Sequence, residues 1–324
     1  MAAEQRRPLV EHHRSQVNGV RLYYRVARPQ PARAGEAGEA GETAFVLLHG
    51  WPQTSYAWRK VLPELGRSFP VIAPDLRGLG SSERRGPYDK ATIARDVAAL
   101  LASLGHERYV VVGHDMGALV AHALAVQHPE RVIGLVVLEM LLAGFGLEEA
   151  TGIGPAGNTF WHIPFHLAPA GHPEALTHGR EDLYLHRFYH DSLYDPEAFS
   201  AEDRAHYVEA YRAPGAMHAG FEWYRALFED AEFNRRAAAR GLLSMPVLAV
   251  GGAHRMGGAV RESFARVATS VAGETWERCG HYPHEEQPGR LVARLLQFAS
   301  AVEEPLLTRG WPGTGSPPRP GTGD

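Results

Sequence analysis

The feature that most constrains the fold of this chain is a five-residue turn, Gly113-His114-Asp115-Met116-Gly117. Three valines at 110–112 precede the turn and indicate a buried strand, and the apolar segment after it predicts a helix. A strand, a tight turn and a helix in this order are typical of a nucleophile elbow, where glycines on both sides make room for a strained central residue. That residue is usually serine, whereas this chain has Asp115.

Composition favours one large hydrophobic core and excludes several classes of protein. The chain has 324 residues, 44% of them hydrophobic, and its formal net charge of −4 gives no basic field for a nucleic-acid partner. No run of about 18 apolar residues is present, so we expect no membrane span. Cys279 is the single cysteine, which rules out an intramolecular disulfide and a sulfur-ligated metal cluster.

The two ends of the chain differ from its interior. The start, Met1–Pro8, lacks the apolar stretch of a signal peptide, and we therefore expect a cytoplasmic location. Residues 1–14 have no apolar period and residues 304–324 are rich in proline and glycine, so both segments are predicted to be flexible. Between strand-forming residues, Asn18-Gly19 predicts a β-hairpin.

Apolar strands alternate with helices along most of the chain. The predicted strands are almost wholly apolar, which is typical of a parallel sheet covered by helices on both faces. From residue 145 to 240 the strands give way to helical segments rich in aromatic residues. The sequence therefore predicts an α/β fold with a core over residues 15–144 and 241–303 and a helical cap over 145–240.

Polar side chains that can take part in a reaction directly follow the predicted strands. They are His49, Asp75, Asp115 and Glu139, and His281 follows the last predicted strand. Parallel sheets place their chemistry at the carboxyl ends of the strands. We therefore expect these side chains to lie along one edge of the sheet.

Three motifs together resemble the α/β-hydrolase fold family and, within it, the epoxide hydrolases. They are His49-Gly50-Trp51-Pro52, the elbow around Asp115 and the late Gly280-His281. The resemblance extends over residues 16–300 by element order and implies an α/β-hydrolase fold, with a mostly parallel central sheet flanked by helices and an inserted helical cap. It also implies that the backbone N–H groups of Trp51 and Met116 form an oxyanion hole.

The resemblance also implies a catalytic triad. A carboxylate on an elbow suits attack at an sp3 carbon with formation of a covalent ester, which makes Asp115 the predicted nucleophile. The family has its general base at the position of His281, which would activate the water that hydrolyses the ester. A third residue must orient His281. The loop Gly251–Gly257 after one candidate strand has no carboxylate, so we assign this role to Glu139, which follows another.

Ring opening of an epoxide needs proton donors, which the cap must supply. Residues 220–227 are similar to the cap segment that holds one such tyrosine, which points to Tyr224. Residues 160–166 resemble a segment of a bacterial subgroup that pairs histidine with tyrosine, which points to His162. Rival donors are Tyr184, Tyr189, Tyr207 and Tyr211. The predicted substrate-binding residues are Trp161, Phe165, Trp223 and Met140, although cap aromatics of this kind either line an apolar tunnel or form the core of the cap.

The leading hypothesis is hydrolysis of a small apolar epoxide to a vicinal diol through a hydroxyalkyl ester of Asp115, without a metal or another cofactor. A haloalkane or fluoroacetate-type dehalogenase is the alternative, because it would use the same nucleophile. The fluoroacetate subgroup has arginines just after the nucleophile, whereas this chain has Met116 and Leu119 there, which argues against an anionic substrate. In a non-catalytic binding protein of the same fold we would expect at least one triad residue to be replaced. This chain has all three, Asp115, Glu139 and His281. The sequence leaves the oligomeric state open, with a homodimer as one alternative.

Overall fold

The structure is a computed structural model that describes residues 8–29, 43–152 and 160–308. Within these ranges, eight strands form one sheet in the order β1-β2-β4-β3-β5-β6-β7-β8. The strands are β1 (Glu11–Val17), β2 (Val20–Ala27), β3 (Ala44–Leu48), β4 (Val71–Pro74), β5 (Tyr109–His114), β6 (Val132–Leu138), β7 (Val247–Gly252) and β8 (Val271–Trp276). Strands β1 and β2 pair antiparallel with their neighbours, and the other strands pair in parallel.

Helices fill most of the connections between the strands. They are α1 (Leu62–Leu65), α2 (Lys90–Ser103), α3 (Met116–Gln127), α4 (Leu147–Ala150), α5 (His162–His166), α6 (His172–Thr177), α7 (Glu181–His186), α8 (Ala201–Arg212), α9 (Ala216–Arg225), α10 (Leu227–Arg240), α11 (Ala259–Phe264), α12 (Pro283–Glu286) and α13 (Pro288–Thr308). Two 3-10 helices cover Ser55–Trp58 and Pro196–Ala198.

Helices cover both faces of the sheet because the central strands are apolar on both faces. Every residue of β3 is buried. Val46 belongs to the hydrophobic cluster that contains residues of α2 and α3, whereas Phe45 and Leu47 belong to the cluster that contains residues of α1 and α13. This alternation follows from the two-residue period of a strand. The structure therefore confirms the predicted parallel sheet flanked by helices.

The N-terminal hairpin is partly predicted from the sequence. Asn18 and Gly19 connect β1 to β2 with φ of 46° and 78°, which is the conformation that an Asn-Gly turn favours, and the hairpin prediction is confirmed. The prediction of a flexible segment is wrong for residues 11–14, which lie in β1. The edge strand β1 exposes most of its side chains, so polar residues occupy it and no apolar alternation marks it.

The C-terminal helix also extends further than the sequence indicates. Helix α13 reaches Thr308, so residues 304–308 are helical rather than part of a flexible tail. Of the two segments that we expect to be flexible, residues 1–7 and 309–324 lie outside the described residues.

Helices α4–α10, which we call the inserted helices, lie between β6 and β7. Hydrogen bonds tie them to loops at the carboxyl edge of the sheet. The indole N–H of Trp223 donates to the carbonyl oxygen of Arg77 at 3.0 Å, and the hydroxyl of Tyr211 donates to the carbonyl oxygen of Gln53 at 3.1 Å. Among the described helices, inserted or not, none combines the length and the apolar character needed to cross a membrane.

Candidate active site

The elbow holds Asp115 in a strained backbone conformation between β5 and α3. Its φ of 51° and ψ of −131° lie outside the regions that a side chain normally allows. A Cβ on Gly113 would lie 2.5 Å from the Cα of Ala118, and a Cβ on Gly117 would collide with the carbonyl oxygen of His49. The glycines on both sides of the turn are therefore required by backbone packing, as the sequence pattern predicts.

Two groups hold the carboxylate of Asp115. The backbone N–H of Trp51 donates to Oδ1 at 3.0 Å, and Nε2 of His281 lies 3.4 Å from Oδ2. Burial alone would raise the pKa of Asp115, but the hydrogen bond and the positive charge of His281, with a smaller contribution from the backbone N–H of Met116, lower it below its ordinary value. Asp115 is therefore ionised at neutral pH.

The loop that carries Trp51 is fixed by buried polar contacts. Nε2 of His49 accepts a hydrogen bond from the backbone N–H of Leu76 at 3.1 Å. The carboxylate of Asp75 accepts backbone N–H groups from Ser55 and Ser81, each at 2.7 Å. His49 and Asp75 thus lie at the expected edge of the sheet, where they hold loops in place.

His281 lies between two carboxylates. Its Nε2 faces Asp115, and its Nδ1 lies 3.2 Å from Oε2 of Glu139. Burial alone would lower the pKa of His281, but hydrogen bonds to Asp115 and Glu139 and their negative charges outweigh burial and raise it to about 9. His281 is therefore protonated at neutral pH and forms an ion pair with Asp115.

Glu139 is completely buried and fully used as an acceptor. Its second oxygen, Oε1, accepts the backbone N–H groups of Gly252 at 2.6 Å and Met256 at 3.2 Å. Glu139 itself has a φ of 51°, which turns its side chain from the end of β6 towards the loop after β7. These bonds fix the carboxylate in the position from which it contacts His281.

A small cavity opens over Asp115. Its volume is about 30 Å3. That volume has room for about two water molecules. The described residues that line it are Trp51, Asp115, Met116, Met140, Leu147, Phe160, His162, Ile163, Phe188, Ser192, Tyr224, Leu227, Arg255, Met256, His281 and Tyr282. A substrate larger than a few atoms therefore needs the cavity side chains to move.

His162 and Tyr224 lie together on the wall of the cavity that the inserted helices form. Their ring centroids are 5.9 Å apart and the rings are nearly perpendicular. Burial raises the pKa of Tyr224 well above its ordinary value, and burial lowers the pKa of His162 to about 4 even though the negative charge of Asp115 opposes the change. Both groups are therefore neutral at pH 7, and each has a proton to donate in a hydrogen bond.

The four rival tyrosines are engaged elsewhere. Their hydroxyls bond to other groups: Tyr184 to Nε2 of His166, Tyr189 to the carbonyl oxygen of Pro52, Tyr207 to Glu285 and Tyr211 to the carbonyl oxygen of Gln53. None of these four side chains lines the described part of the cavity, whereas Tyr224 does and has no hydrogen bond from its hydroxyl to another described residue. The geometry thus favours Tyr224 over its rivals.

Of the four predicted substrate-binding residues, Met140 lines the cavity and the other three lie elsewhere. Trp223 is completely buried against the core, Trp161 lies under the guanidinium of Arg187, and Phe165 packs against Trp161 and Phe221. Trp161, Phe165 and Trp223 therefore do not line the described part of the cavity, and their role in substrate binding stays a prediction. Neighbouring residues on a helix are rotated by about 100°, so Trp223 faces away from the side that Tyr224 presents.

Arg255 is the charged residue of the described cavity lining that the sequence motifs do not indicate. It belongs to the loop after β7, at the carboxyl edge of the sheet, and it lines the cavity beside Met256. In the sequence, the loop is marked only by its lack of a carboxylate, and a single arginine in a loop carries no motif. The position of Arg255 in the loop after a parallel strand is the feature of the sequence that marks it as a candidate site residue.

Comparison with known proteins identifies the family. A sequence profile described as alpha/beta hydrolase fold matches residues 43–287. This chain belongs to the α/β-hydrolase fold family, as the motifs predict.

The relatives within that family include enzymes of two kinds. The chain is 38% identical to the soluble epoxide hydrolase of Corynebacterium sp. (strain C12) over 293 residues, which are 89% of this chain and 97% of that protein. It is 32% identical to the fluoroacetate dehalogenase of Burkholderia sp over 194 residues, which are 56% of this chain and 62% of that protein.

Solved structures agree with the sequence matches. The structure of epoxide hydrolase CorEH without ligand superposes with a TM-score of 0.80 at 37% identity and covers 91% of this chain and 100% of that one. The crystal structure of Cfl2 from Burkholderia cenocepacia gives a TM-score of 0.81 at 35% identity and covers 90% of this chain and 99% of that one. These similarities confirm the predicted fold.

Proposed function

We propose that this protein hydrolyses an epoxide to a vicinal diol through a covalent ester on Asp115. One observation carries the proposal: His281 lies between an elbow carboxylate, Asp115, and a second buried carboxylate, Glu139. This arrangement supplies a nucleophile, a base and a residue that orients the base. The similarity to the soluble epoxide hydrolase of Corynebacterium sp. supports the same activity.

In the first step, Asp115 attacks a ring carbon of the epoxide. Oδ1 is already held by the backbone N–H of Trp51, so we assign the attack to Oδ2 and the ester carbonyl to Oδ1. A bond forms between Oδ2 and carbon as the carbon–oxygen bond of the ring breaks. The ring oxygen accepts hydrogen bonds from His162 and Tyr224 and takes the proton of the Tyr224 hydroxyl, because a free alkoxide would be a poor leaving group.

In the second step, His281 acts as the base for water. Its pKa of about 9 depends partly on the charge of Asp115, and that charge is lost when the ester forms. The pKa of His281 therefore falls, its proton passes to the Tyr224 oxygen, and neutral His281 then accepts a proton from water. The resulting hydroxide adds to the ester carbonyl, and the backbone N–H groups of Trp51 and Met116 hold the oxyanion. When the tetrahedral centre collapses, His281 gives a proton to the departing diol oxygen and then takes the proton of the Asp115 carboxylic acid, which restores the resting ion pair.

The inserted helices have the role of a cap in this proposal. We assign the cap to residues 145–240 and the hydrolase core to residues 15–144 and 241–303. Its described residues supply His162 and Tyr224 to the cavity, while the core supplies Asp115 and His281. Closure of the cap over the cavity would exclude bulk water from the ester until His281 activates one molecule.

Product analysis with a panel of terminal and aryl epoxides, chloroalkanes and fluoroacetate tests the proposal. We expect diol from epoxides, and incubation of His281→Gln with an epoxide should leave a mass increase on the Asp115 peptide. An adduct on another residue, or none while the variant still binds the epoxide, would contradict the covalent route. The absence of turnover with every substrate would favour a non-catalytic binding protein.

A fluoroacetate-type dehalogenase is the second candidate, and one observation favours it. Arg255 brings to the cavity a cation that Met116 and Leu119 do not supply, and the fluoroacetate dehalogenase of Burkholderia sp is a relative. The same Asp115 would then displace fluoride from carbon. Release of fluoride without conversion of any epoxide would replace the first proposal by this one.

A further inference from the structure

The guanidinium of Arg255 is a positive charge in a cavity that otherwise presents mainly apolar side chains. Its side chain is half-buried and lines the cavity with Met256 and Tyr282. Besides burial, its charge is among those that lower the pKa of His162, and it opposes the rise in the pKa of Tyr282 that burial causes. The charge of Arg255 therefore shifts the pKa values of two cavity residues, His162 and Tyr282.

Arg255 has no acidic partner among the described residues, whereas two other arginines of low exposure each have one. Arg77 pairs with Asp96 at 2.6 Å, and Arg225 pairs with Glu174 at 2.9 Å. No Asp or Glu of the described ranges lies within 4.0 Å of the Arg255 guanidinium. Residues 153–159, which precede the cavity residue Phe160, contain no Asp or Glu in their sequence.

An unpaired guanidinium beside a reaction cavity provides a binding site for an anion. Its planar fork of N–H groups matches a carboxylate, and hydrogen bonds between charged groups are stronger than neutral ones. The carboxylate of Asp115 cannot serve as its partner, since His281 and the Trp51 N–H already hold it. The described residues therefore leave the guanidinium without an acidic partner, and a substrate that enters this cavity can supply one.

We infer that Arg255 binds a carboxylate on the substrate and thereby selects short epoxides that carry an acid group at the end away from Asp115. The inference rests on the proposed function, because the epoxide ring must still reach Asp115. It replaces the expectation of an apolar substrate. Even a short substrate of this kind exceeds the cavity volume of about 30 Å3, so the cavity side chains must move to admit it, and a longer chain would need a larger movement.

The test compares two substrates with the same number of non-hydrogen atoms: 3,4-epoxybutanoate and its neutral primary amide, 3,4-epoxybutanamide. The variants are Arg255→Met, which keeps an unbranched apolar stem but removes the guanidinium, and Arg255→Lys, which keeps the charge. Arg187→Met is the matched control. Arg187 also lowers the pKa of His162, but it stacks on Trp161, pairs with Asp191 and lies outside the described cavity lining.

We expect the wild-type protein to prefer the carboxylate in kcat/KM. In Arg255→Met, kcat/KM for the carboxylate should fall by about 10-fold or more, as expected for loss of a charged hydrogen bond. The value for the amide should change by less than about 3-fold, and Arg255→Lys should keep part of the preference. Arg187→Met should leave the ratio of the two substrates unchanged.

Two results would overturn the inference while leaving the proposed function intact. They are equal turnover of acid and amide by the wild-type protein, and equal losses for both substrates in Arg255→Met with an unchanged melting temperature. If no epoxide is converted at all, the proposed function fails. The inference about Arg255 is then tested independently by comparing the affinities of the protein for butyrate and for butyramide. Calorimetry should then show tighter butyrate binding that is lost in Arg255→Met, and equal binding would reject the inference.

Discussion

Nδ1 of His281 lies 3.2 Å from Oε2 of Glu139, although the two residues are 142 positions apart in the chain. The other oxygen of Glu139 binds the N–H groups of Gly252 and Met256, in the loop that lacks a carboxylate of its own. A single side chain from the end of β6 therefore orients His281 and anchors the loop after β7. In the proposed mechanism, Glu139 is thus a positioning residue whose charge acts on the reaction through His281.

The change Glu139→Gln tests this role. The amide has nearly the same shape but no charge, and its NH2 group cannot accept a hydrogen bond from His281 or from the loop. We expect overall turnover to fall by about 100-fold or more, and the ester on Asp115 to accumulate, because water activation is impaired more than ring opening. Rapid-quench mass spectrometry measures the fraction of ester.

The control for this change is Glu262→Gln, at an exposed position of α11. It makes the same chemical substitution away from His281, so turnover should stay near that of the wild-type protein. If Glu139→Gln slowed ester formation as strongly as ester hydrolysis, the assigned role of Glu139 would be wrong.

The pKa of His281 provides a second prediction. Its value of about 9 includes a hydrogen bond and a charge interaction with Asp115. Asp115→Asn removes the charge and imitates the neutral ester, so the pKa should fall below about 9. At a pH between the two values, His281 would be protonated in the resting wild-type protein and neutral in the variant.

Titration of histidine ring signals by NMR measures this shift, with the wild-type protein as reference. In rapid-quench experiments on the wild-type protein, ester hydrolysis should accelerate as the pH rises and level off below pH 9, because only neutral His281 acts as a base. A pKa for His281 that is the same in both proteins would refute the proposed electrostatic coupling.

Ring opening gives a third prediction. Tyr224→Phe and His162→Asn each remove or displace one hydrogen-bond donor at the cavity, so the rate of ester formation should fall by about 10-fold or more in each variant. Tyr184→Phe is the matched control, since its hydroxyl bonds to His166 and it lies outside the described cavity lining. Single-turnover kinetics with an epoxide measures the rate. Unchanged ester formation in Tyr224→Phe would move the donor role to another group.

Local patterns account for much of what the sequence predicts correctly. The apolar strands and the glycines around Asp115 can each be recognised within a few consecutive residues. A buried strand requires a run of apolar residues, and the tight turn requires glycine on both sides of Asp115. The resemblance implies an acid after one of two strands, and only the earlier of these is followed by a carboxylate, Glu139, which the structure has beside His281. These predictions depend on topology, which the alternation of strands and helices reveals.

Features that depend on tertiary packing were not predictable in the same way. The polar edge strand over residues 11–14 has no apolar period, because only its partner β2 stabilises it. Whether the side chains of Trp161 and Trp223 face the cavity depends on how the inserted helices pack against the core. Arg255 was missed because a charge in a loop acquires meaning only when the loop is placed beside the cavity.

The backbone packing of the elbow gives a last prediction, on stability. In Gly113→Ala the new Cβ would lie 2.5 Å from the Cα of Ala118, and a backbone atom in a packed sheet cannot move away without displacing the turn. We expect the free energy of unfolding to fall by about 1–3 kcal/mol, and activity to fall further because Asp115 moves with the turn. In Gly289→Ala, in α13, the Cβ meets no atom within 4 Å, so stability should be unchanged or slightly higher. Chemical denaturation of both variants and the wild-type protein measures the difference, and equal stability of the two variants would show that the turn tolerates a side chain at Gly113.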